Sequence, residues 1–191
     1  MVFPLKQNRY FPAGVIGFGM GLIGVPAMAA ETVVLKYSVF QLAVPISTLE
    51  TLAGTGETSM QLNTLLKLGK VNPDSVRQVL IQPIPAPGGA LETGLNTLPG
   101  QVVLDEVSQV IHTPNREGDR EALKTALILS AKDDNRITLL ETLQNYPTDE
   151  VHLNGERLMD AYKTLANFGK TLSNGTNLLR ELLNKIKLPN L

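Results

Sequence analysis

The chain has 191 residues, of which 43% are hydrophobic, and its 17 basic and 18 acidic side chains give a formal net charge of -1. This length and composition are typical of one globular domain with a hydrophobic core. The charges are interspersed instead of forming the basic stripe that phosphate binding requires, so we expect no nucleic-acid partner. Cysteine is absent, which excludes disulfides, thiolate catalysis and Cys-ligated zinc.

The first thirty residues have the three regions of a secretory signal peptide. Lys6 and Arg9 give a basic start, an apolar stretch follows, and small residues up to Ala29 match the pattern that signal peptidase cuts. We therefore predict that residues 1–29 are a signal peptide and that residues 30–191 form a single mature helical domain. The apolar stretch is shorter than the roughly 20 residues of a spanning helix. We expect no stable membrane insertion after cleavage, and delivery to the periplasm, the thylakoid lumen or the extracellular medium.

The sequence of the mature part predicts a mainly α fold, which is a compact multi-helix domain with a short N-terminal β-hairpin. Residues 33–37 and 40–44 are rich in β-branched and aromatic side chains, and Ser38 and Val39 would form the turn between them. Helical periodicity and capping residues then predict helices at about residues 47–53, 59–68, 72–82, 91–95, 103–112, 121–132, 137–143, 154–168 and 177–188.

Several local signals set the ends of these helices. Ser47 and Glu50 match a capping box, and Asp134 is a candidate cap for the helix that contains Ile137. Prolines and glycines make residues 83–89 an irregular connection. The helix at residues 121–132 is apolar on more than one face, so we expect it to be the most buried.

The end of the chain leaves two questions open. Asn174, Gly175 and Thr176 match a glycosylation acceptor, but Asn-Gly is first a turn signal, so we expect a joint between two helices there. The amphipathic helix at about residues 177–188 can pack on its own domain, on a partner protein or on a membrane surface.

Seven segments carry a resemblance to a known family: VVLKY at residues 33–37, FQL at 40–42, ISTLE at 46–50, LAGTGE at 52–57, ALKTALILSA at 122–131, ITLL at 137–140, and the pair Tyr146-Pro147. Together they resemble a domain of unknown function in exported proteins of oxygenic photosynthetic bacteria. That domain usually precedes an α/β-hydrolase domain similar to dienelactone hydrolases. The resemblance covers about residues 32–168.

The resemblance implies a fold and a hydrolase as partner, but it assigns no catalytic residue. Two departures stand out. Ser38 and Val39 occupy the hairpin turn where a Gly-Pro pair is more typical, and the hydrolase domain is missing from these 191 residues.

The search for catalytic residues begins with the nucleophile elbow of α/β-hydrolases, G-x-S-x-G, which does not occur in this sequence. An unorthodox triad would combine Ser108 or Ser130 with His112 or His152 and an acid such as Asp105. We expect instead that His112 binds carbonyl groups at a helix end and that His152 faces outward from an extended segment. We therefore assign no catalytic residue.

Cofactor and metal motifs give no assignment either. Residues 19–24 satisfy the dinucleotide pattern G-x-G-x-x-G, but Pro26 follows at once where a helix would have to open. The two histidines are isolated in sequence and no H-E-x-x-H occurs. Asp133, Asp134 and Asn135 lack the rest of a calcium loop, so we interpret them as a polar turn.

These observations favour an exported, non-enzymatic helical module that binds or regulates a partner protein, with a hydrolase as the candidate partner. Two alternatives remain open. One is a hydrolase-related enzyme that uses unidentified residues, and the other is a carrier with an apolar pocket between its helices.

Overall fold

The computed structural model describes residues 29–185, with side chains as far as Gly175. The predicted signal peptide lies outside this range except for its last residue, and so does the motif at residues 19–24. The side chains of the predicted C-terminal amphipathic helix also lie outside it.

The described elements follow one another in the order β1 (Thr32–Tyr37), β2 (Phe40–Pro45), α1 (Ile46–Thr55), α2 (Met60–Leu68), α3 (Pro73–Ile81), β3 (Ile84–Pro85), α4 (Gly88–Leu95), α5 (Leu98–Ser108), β4 (Ile111–His112), α6 (Asp119–Ser130), β5 (Arg136–Ile137), α7 (Leu139–Gln144), β6 (Glu150–Asn154), a 3-10 turn (Gly155–Arg157) and α8 (Leu158–Lys185). The fold is mainly α, as predicted.

The predicted hairpin is part of a larger sheet with the strand order β2-β1-β6-β4. Strands β1 and β2 pair antiparallel with Tyr37 opposite Phe40, so Ser38 and Val39 form the turn as expected. Ser38 adopts a positive φ of 53°, a conformation that Gly or Asn adopts with less steric strain. Strand β6 then pairs parallel to β1, and β4 pairs antiparallel to β6.

The sheet has one core face and one outer face. Val33, Val151 and Leu153 are buried in the hydrophobic core, and they alternate along their strands with residues of the opposite face. The helices pack on the core face, and α6 contributes Leu123 and Leu127, which are completely buried. The outer face carries the polar side chains of β6.

Local capping signals predicted some helix starts correctly. The Ser59 hydroxyl accepts a hydrogen bond from Leu62 N, and Asn72 caps α3 with Pro73 at its first position. The capping box at Ser47 is wrong, because α1 already begins at Ile46 and has no side-chain cap.

The expected cap at Asp134 is also wrong. Its Oδ1 accepts from Arg136 N at 2.9 Å and so forms a turn that leads into strand β5, which contains Ile137. The helix begins later, at Leu139, where Thr138 and Glu141 form a true capping box.

Two predicted segments change class because they pair with distant strands. The helix predicted to end near His112 ends at Ser108, and Ile111 and His112 form strand β4 against β6. The connection at residues 83–89 is not wholly irregular, because Ile84 pairs with Ile137 and Gly88 opens α4. Periodicity along the chain cannot detect either pairing.

Helix α6 contributes five buried residues to the core. Ala122, Leu123, Ala126, Leu127 and Ser130 are buried. Leu129 is 39% exposed, so neighbours cover this helix on one side and not all round.

Helix α8 runs without a break through the joint predicted at Asn174. At 1.5 Å per residue its 28 residues extend about 42 Å. An Asn or Gly inside a helix costs about 1 kcal/mol or less, which the helix-forming residues on both sides outweigh. None of the described helices has the length and apolar content needed to cross a membrane.

The crossing of α8 over strand β3 depends on Gly169. A Cβ at this position would collide with the carbonyl oxygen of Pro85 and lie 3.0 Å from Ile84 Cγ2. Glycine therefore permits the close approach that seals this side of the core, where Ala161 and Leu165 of α8 are buried.

Candidate functional site

The sheet brings together two histidines that are distant in sequence. His112 of β4 and His152 of β6 are directly opposite partners in the antiparallel ladder, and their ring centroids lie 5.3 Å apart at an interplanar angle of 57°. The two histidines are thus isolated in sequence but adjacent in the fold, which the sequence did not indicate. His152 lies on the outer face of β6, as expected, but it is only 24% exposed.

Each imidazole has one nitrogen in a hydrogen bond. His112 Nδ1 lies 2.8 Å from the carbonyl oxygen of Thr113, so Nδ1 is the donor and Nε2 is left as an acceptor in the neutral ring. His152 Nε2 lies 2.8 Å from Glu150 Oε1. Burial is the largest cause that lowers the pKa of His112 below its usual 6.5. The hydrogen bond to Thr113 and the charge of Asp119 raise this pKa, while Arg116 and His152 lower it further. The His112 ring is therefore mainly neutral at pH 7.

Asp119 organises the loop that follows β4. Its Oδ1 accepts from Thr113 N at 2.8 Å and from Thr113 Oγ1 at 2.7 Å, and its Oδ2 lies 3.2 Å from Arg116 Nη1. The same Arg116 nitrogen donates to the carbonyl oxygen of Ser108 at 2.6 Å. This network ties the end of α5 to the start of α6 and fixes the backbone to which His112 is bonded.

The predicted candidate serines do not complete a triad with these histidines. Ser130 Oγ donates to the carbonyl oxygen of Ala126 at 2.7 Å, and Ser108 Oγ is buried without a hydrogen-bond partner in the described part of the chain. Asp105 forms an ion pair with Arg120 at 2.7 Å on the surface. A triad requires a serine hydroxyl bonded to the histidine and an acid that orients it. The cluster therefore offers a proton-accepting imidazole without either candidate nucleophile.

A buried tyrosine lies near the same network. The Tyr146 hydroxyl is fully buried and has no hydrogen-bond partner among the described residues. Burial is the main cause that raises the pKa of Tyr146. The charge of Asp119 raises this pKa further, and the charge of Arg116 lowers it. Its hydroxyl stays protonated at neutral pH, so Tyr146 is a core residue and not a base.

The acidic turn at residues 133–135 has a structural role. Asn135 Oδ1 accepts from Gly88 N at 3.0 Å, and its carbonyl oxygen accepts from Ala86 N at 2.8 Å. Asn135 thus anchors the start of α4. Between residues 29 and 185, no group of three or more His, Asp or Glu side chains is arranged to hold a metal ion.

The second candidate site is an apolar cavity of about 210 Å³ between β1, the first three helices and the start of α8. Its floor consists of buried leucines, and its rim includes the exposed residues Ser75 and Met159. The floor residues are Leu49, Leu62, Leu66, Leu80 and Leu153. Lys36 is the one charged side chain among the described residues of the lining and is exposed at the rim, so the interior of the cavity suits hydrocarbon and not a charged group.

Tyr37 forms one wall of this cavity and is held between two glycines. A Cβ at Gly69 would lie 3.1 Å from Tyr37 Cε1, and a Cβ at Gly155 would lie 3.3 Å from Tyr37 Cδ2. These distances are shorter than ordinary van der Waals contact, so side chains at the two positions would press on opposite edges of the ring. The two glycines therefore leave room for the Tyr37 ring in this position.

The apolar surface continues outside the cavity, at the tip of the hairpin. Val39 is 88% exposed and Phe40 is 43% exposed, while Met60 and Leu68 of α2 are 83% and 55% exposed. Helix α2 packs against β2, and a Cβ at Gly69, just after α2, would lie 3.1 Å from the Tyr37 ring, so α2 and its exposed side chains lie beside the hairpin. We call Val39, Phe40, Met60 and Leu68 the hairpin patch.

Comparison with known families gives one match, between residues 29–154 and a family model described as alpha/beta hydrolase of unknown function (DUF1400). The chain belongs to this family. The expectation of a domain of unknown function linked to hydrolases is thereby confirmed, and its predicted extent of residues 32–168 overlaps the match. No curated protein and no solved structure matches the chain.

The description of the DUF1400 family contrasts with the geometry of the matched segment. An α/β-hydrolase presents its nucleophile at a strand-to-helix elbow on top of a mainly parallel sheet. Here the one parallel pairing of the four-stranded sheet joins β1 to β6, and the elbow sequence is absent. The matched segment thus differs from that arrangement in its sheet and in its lack of the elbow sequence.

Sequence reasoning missed the residues that shape both sites. Glu150 and Thr113 bond the histidine nearest to each of them in sequence, but the two histidines come together only because β4 and β6 pair, and no local pattern indicates that pairing. Tyr37 and Gly155 form the cavity wall through a contact between β1 and the turn after β6. The β-branched and aromatic side chains of residues 33–37 were the available signal, since they predicted a strand there.

Proposed function

We propose that this chain is an exported, non-catalytic helical module that binds a partner protein of the α/β-hydrolase class. The observation that carries the proposal is the family match over residues 29–154 to a segment in which neither Ser108 nor Ser130 is bonded to a histidine. A chain of a hydrolase family without a nucleophile elbow is best explained as the accessory part of such an enzyme. Export is proposed from the basic, apolar and small-residue regions of residues 1–29.

The hairpin patch supports a protein partner. Large apolar side chains exposed together are typical of interaction sites, and aromatic and methionine residues are enriched at the centres of interfaces. Phe40 and Met60 are of these types. Strand β2 is also an edge strand of the sheet, and an edge strand offers unpaired backbone groups to a partner.

The proposal is tested by affinity capture from the exported fraction of cells that produce the chain, followed by mass spectrometry. We expect an α/β-hydrolase to be recovered with the unmodified chain and lost with the double variant Val39→Asp, Phe40→Asp. The matched control is Leu98→Asp on α5, because Leu98 is 78% exposed but lies outside the hairpin patch. Equal recovery with all three chains would contradict the proposal.

A second measurement addresses the enzymatic alternative directly. We expect the purified chain to show no turnover on a panel of p-nitrophenyl esters of different acyl length. Turnover that is lost in Ser108→Ala or Ser130→Ala, with folding retained, would show that the chain is itself a hydrolase.

A further inference from the structure

The apolar cavity differs from ordinary core packing in size and access. Protein interiors are close-packed, with few voids larger than a water molecule, whereas this cavity measures about 210 Å³. Its rim includes Lys36, Ser75 and Met159, which are exposed, while Leu62 and Leu66 on its floor are buried. The cavity is therefore a pocket that a molecule can enter from solvent.

We infer that this pocket binds the aliphatic tail of a medium-chain acyl compound, with the polar head left in solvent. The inference is independent of the proposed protein partner. The walls are almost entirely leucine and valine, so a polar group carried inside would lose its hydrogen bonds to water at a cost of about 1 to 3 kcal/mol. The part of a ligand that enters must be hydrocarbon.

The volume sets the length of the tail. An apolar cavity of about 150 Å³ is enough to bind benzene, so 210 Å³ accommodates roughly eight carbon atoms on the same scale. A ring of that size would need a flat slot between aromatic faces, but Tyr37 is the one aromatic side chain in the lining, and leucines and valines form most of the remainder. A linear chain that curls between these branches fits the lining better.

The position of the rim explains how the head group is accommodated. Ser75 and Lys36 belong to the lining and are exposed to solvent, so a carboxylate or an ester held at the rim remains hydrated. The Tyr37 ring lies between Gly69 and Gly155 and forms one wall of the pocket. The pocket recognises the aliphatic tail of the ligand and not its head group, so the free acid and the ester are both ligands.

The test measures the binding of ligands of increasing tail length to the full-length protein. Isothermal titration calorimetry is used below the micelle-forming concentration of each probe. The probes are butanoate, hexanoate, octanoate, decanoate and dodecanoate, with methyl octanoate as the neutral arm. We expect the affinity to rise about fourfold per added methylene up to about octanoate and then to level off, because further carbons lie outside the pocket. Methyl octanoate should bind as well as octanoate.

Variants locate the binding. Val76→Phe places an aromatic ring in the pocket from α3 and should weaken octanoate binding by about tenfold or more. The ring displaces carbon atoms of the ligand, and each of these contributes about fourfold to the affinity. The matched control is Val102→Phe, because Val102 is 64% exposed on α5 and lies outside the pocket. Leu65→Phe, at a partly exposed lining position on α2, serves as a second blocking variant if Val76→Phe fails to fold.

Three results would overturn the inference. These are no saturable binding of any probe, an affinity that does not depend on chain length, and equal weakening by Val102→Phe and by the blocking variants. Binding of octanoate but not of its methyl ester would also overturn it, since recognition would then come from the carboxylate. If neither blocking variant folds, the chain-length series on the unmodified chain decides the question.

Discussion

The replacement of Leu127 by alanine tests the centre of the core. The Leu127 side chain is completely buried on α6, and the change removes three carbon atoms. At about 0.8 kcal/mol per methylene, the lost transfer free energy is about 2.4 kcal/mol. The cavity left behind adds to this, because the surrounding helices α5 and α7 relax only in part. The expected decrease in the free energy of unfolding is therefore about 2.7 to 5 kcal/mol.

The assay is equilibrium unfolding in urea followed by far-UV circular dichroism, since the chain contains no tryptophan. Leu129→Ala is the matched control on the same helix, because Leu129 is 39% exposed and should cost less than about 1 kcal/mol. Equal losses in the two variants would refute the assignment of α6 as a one-sided core helix.

Three further predictions use the same unfolding assay. Gly169→Ala should destabilise the fold, because the added methyl group would collide with the Pro85 carbonyl oxygen. Gly175→Ala should instead stabilise the fold by about 0.5 to 1 kcal/mol, since alanine favours a helix interior and there is open space at this position. A loss of stability in Gly175→Ala would favour a turn over a continuous α8. Ser108→Ala should leave the stability unchanged or slightly higher, because the buried hydroxyl makes no hydrogen bond in the described structure; a clear loss would reveal a missed partner. The pKa of His112 is lower in the folded state than its usual 6.5, so the unfolded chain binds this proton more tightly and stability should fall as the pH drops below about 6.5. His112→Gln should flatten this part of the pH dependence, and an unchanged slope would contradict the argument.

The sequence predicted features that depend on neighbouring residues. Ser59 caps α2 and Asn72 caps α3 because each side chain reaches a backbone N–H within three residues, a relation that is visible in the printed order. The capping box at Ser47 matched the same kind of pattern and is wrong. Strand β2 turns directly into α1, and Ile46 N donates to the carbonyl oxygen of Glu31, so tertiary pairing replaced the side-chain cap.

The candidate site could not be predicted from the sequence, because it depends on strand pairing. His112 was expected at the end of a helix, since Val107 and Val110 continue the helical spacing of apolar residues. The register with β6 overrides that spacing and brings His112 opposite His152. Two-residue strands such as β4 carry too little periodicity to be recognised alone, and their pairing energy comes from residues about forty positions away.

The folding unit extends beyond the segment that defines the family. The match ends at Asn154, the last residue of β6, yet Ala161 and Leu165 of α8 are buried in the same core as the sheet. Gly169 lies against the backbone of β3, and a Cβ at Gly94 of α4 would meet the side chains of Phe168 and Leu172. A chain cut at the family boundary would expose these surfaces, and about 25 cal/mol is lost for each square ångström of apolar area returned to water. Helix α8 up to about Leu172 is therefore part of the same domain.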